Sequence, residues 1–201
     1  MSAVKEAKTR GTKERILDAA LKMFSKKGYL GAATKDIAIE AGVSEVTLFR
    51  YFPSKESLLV EVINTYTFLP TLKGMMSEVE AMSYSDALSE IARRFLETLH
   101  LRKDLVRIMH SEIQLYPEKA RQIYHGFIDE LFEIMASYFK KLQREGILRH
   151  FQAETAARAF LGMFFSLFTA QEFHLQKKLK KEDIDNTIAD FVEIFVRGTL
   201  K

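Results

Sequence analysis

An all-α fold is what this sequence predicts, and three observations predict it. Apolar residues recur at spacings of three and four along most of the chain, the period of one helix face. Only nine Gly and three Pro punctuate 201 residues, too few for the turns of a sheet protein. No stretch competes as a strand by alternating apolar and polar residues. With 47% hydrophobic and 28% charged residues the chain can bury the core of one or two domains, which disfavours disordered, collagen-like and coiled-rod classes. No cysteine is present, so a disulfide framework, a thiolate nucleophile and Cys-ligated zinc or iron–sulfur centres fall away. Met1 to Lys13 is polar and basic and does not read as a secretory signal. The longest apolar run, Ala156 to Ala170, is fifteen residues with Arg158 inside it, too short for a bilayer span. A soluble, cytoplasmic protein is expected.

The first helix begins near Thr12, its candidate N-cap. Ile16, Leu17, Ala20, Leu21 and Phe24 share one face, and Gly28 is the stop. A shorter helix over 35–41 turns Ile37, Ala38 and Ala41 inward and ends at Gly42, which reaches the left-handed region without a Cβ penalty. Ser44 caps a third helix with Leu48 and Phe52 four apart, closed by Pro53 because the residue before proline avoids helical backbone. Ser54 opens the fourth, whose inner face starts with Leu58, Leu59 and Val62. Further helices are expected over about 55–81 with a break near Pro70, then 85–102, 104–115, 117–145, 152–176 and 184–198, making about nine. Neither a repeat nor a flexible linker interrupts them.

Residues 34–52 form a helix, a glycine turn and a second helix, which is helix-turn-helix spacing. In a DNA-binding motif the first helix braces the second so that the start of the second projects rigidly into a major groove, whereas an αα-hairpin that only packs shows the same bare helix-glycine-helix pattern. Its outward positions are Glu45, Val46, Thr47, Phe49, Arg50 and Tyr51. Charge agrees: residues 1–60 hold eleven Lys and Arg against seven Asp and Glu, while the remainder holds nineteen against twenty. A basic N-terminal segment suits phosphate, although a solvated basic face would give the same excess.

The order Ile-Leu-x-x-Ala, Phe-x-x-x-Gly-Tyr, Thr-x-x-x-Ile-Ala, Ala-Gly-Val-Ser, Thr-Leu-Phe-x-Tyr-Phe, Ser-Lys-Glu-x-Leu across residues 12–62 resembles the DNA-binding domain of the tetracycline-repressor (TetR) family of bacterial transcription regulators. That resemblance implies a homeodomain-like three-helix DNA-binding domain over 1–54, followed by a helical ligand-binding and dimerisation domain over 55–201. It places Thr34 and Lys35 beside the DNA backbone, Tyr51 and Lys55 on flanking phosphates, and Thr47 as a further backbone contact next to the cap residue Ser44. Bases then fall to Glu45 and Val46. A carboxylate accepts from a cytosine amino group, and a valine packs on a thymine methyl. The chain makes two departures from the family pattern: Phe49 stands where Tyr is common, and the pair Glu45-Val46 where Gly or a basic residue is. Both bear on the operator sequence, not on DNA binding as such.

The helix from Thr155 is apolar nearly all round, with Phe160, Phe164 and Phe168 in one stripe, so it must be covered on both sides. The resemblance implies a four-helix homodimer interface built from this stripe with Ile188, Phe191, Val192 and Phe195. A monomer core wrapping the helix is the alternative. Thirteen of the sixteen Phe lie after residue 60. Aromatic and Met side chains at helical spacing are ordinarily plain core; the family tips the expectation to a cavity lined by Tyr66, Phe68, Met75, Ile108, Tyr124, Phe127, Leu131, Met163 and Phe164. Such a wall suits a lipophilic effector, acyl or aromatic.

Two rival classes remain. Glu97-Thr98-Leu99-His100 is one Glu-x-x-His, and a di-metal carboxylate enzyme needs two with two further Glu. Asp129, Glu130 and Glu133 read as the wet face of their helix, and the other histidines lack metal spacing. No cofactor, metal or catalytic residue is expected. A DNA-binding protein without an effector is the second rival.

Overall fold

The structure, a computed structural model, describes residues 11–175 and 181–201, and within them every side chain other than those at 108, 111–113, 173–175 and 181. The basic start up to residue 10 lies outside the described residues, as do the side chains of Ile108, expected above to line a cavity, and of His174, one of the histidines without metal spacing. The helices are α1 (Thr12–Gly31), α2 (Thr34–Ala41), α3 (Glu45–Tyr51), α4 (Lys55–Tyr66), α5 (Phe68–Val79), α6 (Tyr84–Leu101), α7 (Lys103–Glu112), α8 (Glu118–Arg144), α9 (Ala153–Thr169) and α10 (Lys181–Thr199). Among the described residues these ten become the nine expected if α4 and α5, separated by Thr67 alone, count as one broken helix. An isolated bridge between Leu148 and Leu200 is the only extended pairing among the described residues.

Helix ends follow local chemistry. Gly11, not Thr12, is the N-cap of α1, and its N–H donates to the Glu14 carboxylate at 3.3 Å. Gly28 takes φ +70° and breaks the helical path, so that the last residues of α1 form a separate turn. Gly42 takes φ +66° as the left-handed cap of α2, with Val43 N–H reaching Ala38 O at 3.0 Å. Ser44 Oγ caps α3 by accepting from Thr47 N–H at 3.1 Å.

The break between α4 and α5 falls at Thr67, not at Pro70. Thr67 is extended (φ −91°, ψ −176°) and its Oγ1 accepts from Leu69 N–H at 3.4 Å. Pro70 is the third residue of α5, where an N–H has no intrahelical acceptor to lose. A proline there is tolerated, and the kink expected at it moves three residues upstream. The long helix expected over 152–176 also changes character, passing from α to a π-helical turn over Ala170–Leu175.

Packing divides the chain into two compact units, Met1–Tyr66 with Asp104–Tyr124, and Thr67–Lys103 with His125–Lys201. The first is therefore larger than the 1–54 segment read from sequence, because α4 packs on α1 through its buried Leu58, Leu59, Val62 and Ile63. Its core also holds Ile16, Ala20, Ile37 and Leu48, all 0% exposed. Tyr116 joins that core with its ring 5.4 Å from Tyr29. The second unit is built on aromatic packing: Phe160 lies 5.2 Å from both Phe164 and Phe195, and Phe139 lies 5.7 Å from Phe195.

Candidate DNA interface and C-terminal helices

The start of α3 presents the side chains that a groove would meet. Val46 is 81% exposed, a position no apolar residue holds for the benefit of its own core. Phe49 and Tyr51 are exposed as well, and Leu48, just before them, is fully buried, so one helix turn both anchors and displays. Arg50 is exposed with its guanidinium 5.6 Å from the Tyr51 ring centroid. Ser44 and Thr47 join their hydroxyls at 2.9 Å beside the cap bond. Lys35 is exposed on α2, while Thr34 is half-buried and donates its hydroxyl to Glu45 Oε1 at 2.6 Å.

The acids of α2 are matched by lysines of α1. Lys27 lies 2.8 Å from Asp36 and Lys22 pairs with Glu40, and in both cases the lysine hydrogen bond holds the carboxyl pKa below its ordinary value. Such exposed pairs contribute little stability each. Their effect is to cancel negative charge beside the candidate DNA face without cancelling Lys35.

Lys55 is half-buried, with Nζ 4.6 Å from the Tyr29 ring centroid and 3.5 Å from Leu30 O, and this burial lowers its pKa. Tyr29 is buried, and its N–H donates to the Tyr116 hydroxyl at 3.3 Å. Desolvation raises the phenol pKa of Tyr29, and Glu56, which hydrogen bonds to it, raises it further. This corner, Tyr29, Glu56 and Tyr116 around Lys55, was not legible in the sequence; the partners come from segments 87 residues apart.

The residues expected to line a cavity do not fall in one unit. Tyr66 and Tyr124 belong to the first, where Tyr66 donates to Asp18 Oδ1 at 2.5 Å. Phe68, Met75, Phe127, Leu131, Met163 and Phe164 belong to the second. Phe68 packs on Phe95 at 5.0 Å, and Phe68, Met75, Leu131 and Phe164 are buried.

The stripe expected to meet a second subunit is closed off by its own chain. Phe160, Phe164 and Phe168 are 0% exposed, Ile188 is 3% and Phe195 9%, leaving only Phe191 half-buried. Phe160, Phe164 and Phe168 therefore have no surface to offer a partner, whereas Phe191 keeps part of its ring accessible. The outward side of α9 and α10 is different in kind: Ala159, Gly162 and Ser166 on α9, and Ile194 and Gly198 on α10, are exposed. Between the two helices runs a groove of about 420 Å³ bounded by Ala156, Ala159, Met163, Ile194, Gly198 and the loop residues Arg149 and Phe151.

Comparison with known proteins decides the family. The model of "Bacterial regulatory proteins, tetR family" matches residues 16–62, and that of "AefR-like transcriptional repressor, C-terminal domain" matches residues 86–198. The chain belongs to the TetR family. An uncharacterised helix-turn-helix regulator of Bacillus subtilis, YvkB, is 27% identical over 189 residues, covering 94% of this chain and 97% of YvkB. The fold is shared with Bacillus subtilis FadR in complex with stearoyl-CoA, with TM-score 0.75, 19% identity and coverage of 92% and 98%. It is shared too with AibR in complex with isovaleryl coenzyme A and operator DNA, with TM-score 0.60, 20% identity and coverage of 89% and 96%.

As a TetR-family member the protein is a DNA-binding transcriptional regulator and not an enzyme. Glu97 is exposed and His100 uses Nδ1 toward Leu96 O at 2.8 Å. Asp129 and Glu130 are engaged by Arg158 and Lys73 at 3.7 and 2.5 Å. Among the described residues no group of three His, Asp or Glu is placed to hold a metal, and no helix is long and apolar enough to cross a membrane.

Proposed function

We propose that this TetR-family regulator works in the cytoplasm as a homodimeric repressor, held on operator DNA by residues 1–54 and released when a lipophilic acyl-bearing molecule binds within residues 55–201. The DNA reading is carried by the exposed apolar start of α3, Val46 at 81% exposure beside Glu45, on a helix anchored by fully buried Leu48. Lys35, Tyr51 and Lys55 take phosphates, with Ser44, Thr47, Phe49 and Arg50 around the reading residues. The acyl reading draws support from the stearoyl-CoA and isovaleryl coenzyme A bound by FadR and AibR, and from the aromatic and Met-rich composition around Phe68, Met75, Phe127 and Met163.

The dimer uses the outward face of α9 and α10. Small residues at 156, 159 and 162 let a partner backbone approach, and Met163 with Ile194 supplies apolar area. Two symmetric α3 helices then address half-sites about one DNA turn apart, ~34–36 Å. The effector acts by favouring a dimer state with another separation, through the Thr67 break where the chain passes from the first unit to the second.

Titration of an operator fragment, obtained by selection from random DNA, with and without stearoyl-CoA or isovaleryl-CoA tests this. A coupling of ~1–3 kcal/mol lowers affinity about 5- to 150-fold. Equal affinities with both compounds would sink the acyl reading and leave the DNA reading standing; failure to select any sequence would sink the latter.

A further inference from the structure

Thr34 and Glu45 are the first residues of α2 and α3, and the 2.6 Å bond between them ties the two helices of the DNA-binding motif at the ends that face the groove. The distance is that of a charge-assisted O–H···O⁻ bond. A hydroxyl has one proton to give, so here Thr34 is the donor and Glu45 the acceptor. A carboxylate on a surface built for phosphates is unfavourable unless it is cancelled or used. Asp36 and Glu40 on α2 are cancelled by Lys27 and Lys22. Glu45 is given a neutral partner, which aligns its carboxylate and leaves its charge in place.

We propose that Thr34 is a positioning residue for sequence reading: it holds the Glu45 carboxylate so that its second oxygen accepts the amino group of one cytosine in each half-site. The inference rests on the proposed role of Glu45 at the bases. In the major groove guanine and thymine offer acceptors alone, which repel a carboxylate, and adenine sets its N6 donor beside the N7 acceptor, whereas cytosine N4 offers a donor with no acceptor next to it on that edge, the contact that Asp and Glu commonly take. Thr is suited to the task because its β-branch narrows χ1 and so the places that Oγ1 can occupy. Locking the torsions of a Glu before binding removes part of the ordering cost that contact with the base otherwise carries.

The test is site selection followed by measured affinities for the selected half-site with each base at the read position, using the full-length protein. Glu45→Ala flattens the preference at one position by about tenfold, the factor that ~1.4 kcal/mol gives. Thr34→Val, which keeps the shape and removes the donor, flattens the same position; Thr34→Ser restores it, and the double variant is no worse than Glu45→Ala alone. Thr34→Ala replaces Thr34→Val if melting shows that the latter does not fold. If Glu45→Ala leaves preference untouched, the base-reading role fails and the inference with it. If Glu45→Ala flattens the position while Thr34→Val weakens all sequences alike, Thr34 serves a phosphate or the fold, and the inference alone is overturned.

Discussion

Replacing Ile194 with Asp should break the proposed dimer without unfolding the subunit. Ile194 is 66% exposed in the isolated chain, so about two-thirds of its side chain is available to a partner. Complete burial of an Ile side chain is worth ~1.5–3 kcal/mol, which puts ~1–2 kcal/mol at stake per subunit. Twofold symmetry counts it twice, so the dimer loses ~2–4 kcal/mol and its dissociation constant rises roughly 30- to 1,000-fold. The buried charge that Asp introduces adds to this, so the range is a lower bound. Sedimentation equilibrium across nanomolar to micromolar concentrations measures it.

Phe164→Ala is the control that separates core from interface. Its ring is 0% exposed, with Phe160 at 5.2 Å and Phe191 at 5.6 Å. Truncation should cost ~3–5 kcal/mol of unfolding free energy, on the order of 10 °C in Tm for a chain of this size. An unchanged dimer constant for Ile194→Asp would refute the outward face as the interface. A Phe164→Ala variant that dissociates while keeping its Tm would restore the aromatic stripe to that role.

Lys35→Ala and Lys55→Ala should each weaken binding to every DNA sequence and flatten the salt slope by about 0.9 for each phosphate that a subunit no longer neutralises. Lys55→Ala should also lower Tm slightly, since its ammonium lies over Tyr29. Fluorescence titrations across a salt series and melting curves read both. Tyr116→Phe removes the hydroxyl that accepts from Tyr29 N–H and should cost ~1 kcal/mol, a fall of roughly 2–4 °C, whereas an unchanged Tm would mean that the bond is idle. The carboxyl pKa values of Asp36 and Glu40 are depressed from their ordinary 3.8 and 4.5, so their pairing stabilises fully above that range and is lost as pH falls through it. Melting of the wild type should therefore show an acid-side loss that Asp36→Asn with Glu40→Gln reduces. Pro70→Ala should leave any effector response intact, because the helix break is at Thr67.

What the sequence disclosed was whatever a helix decides locally. The caps at Gly42 and Ser44, the inward Leu48 and the outward Val46 all follow from residue chemistry within four positions, and each stands where the spacing put it. The Tyr29, Glu56 and Tyr116 corner had no such signal, since Tyr116 reaches it from a distant segment. The Thr34–Glu45 bond has a subtler cause of concealment: each side chain alone suits a DNA contact, and an eleven-residue separation across a turn does not announce that the two meet.

The faces of α9 show where periodicity stops helping. A helix apolar all round has no polar stripe to mark its outside, so hydrophobicity alone cannot say which of its sides a neighbour covers. Size can. The large rings at 160, 164 and 168 fill the space inside the second unit, where volume must be matched, while Ala159, Gly162 and Ser166 face out. Outward small residues are poor at burying area and good at letting a second backbone come close, a property with no use on a face that meets only water. Among sides of equal polarity, the bulky stripe therefore belongs to the subunit's own core, and the small stripe is the side left for the partner in the dimer proposed above.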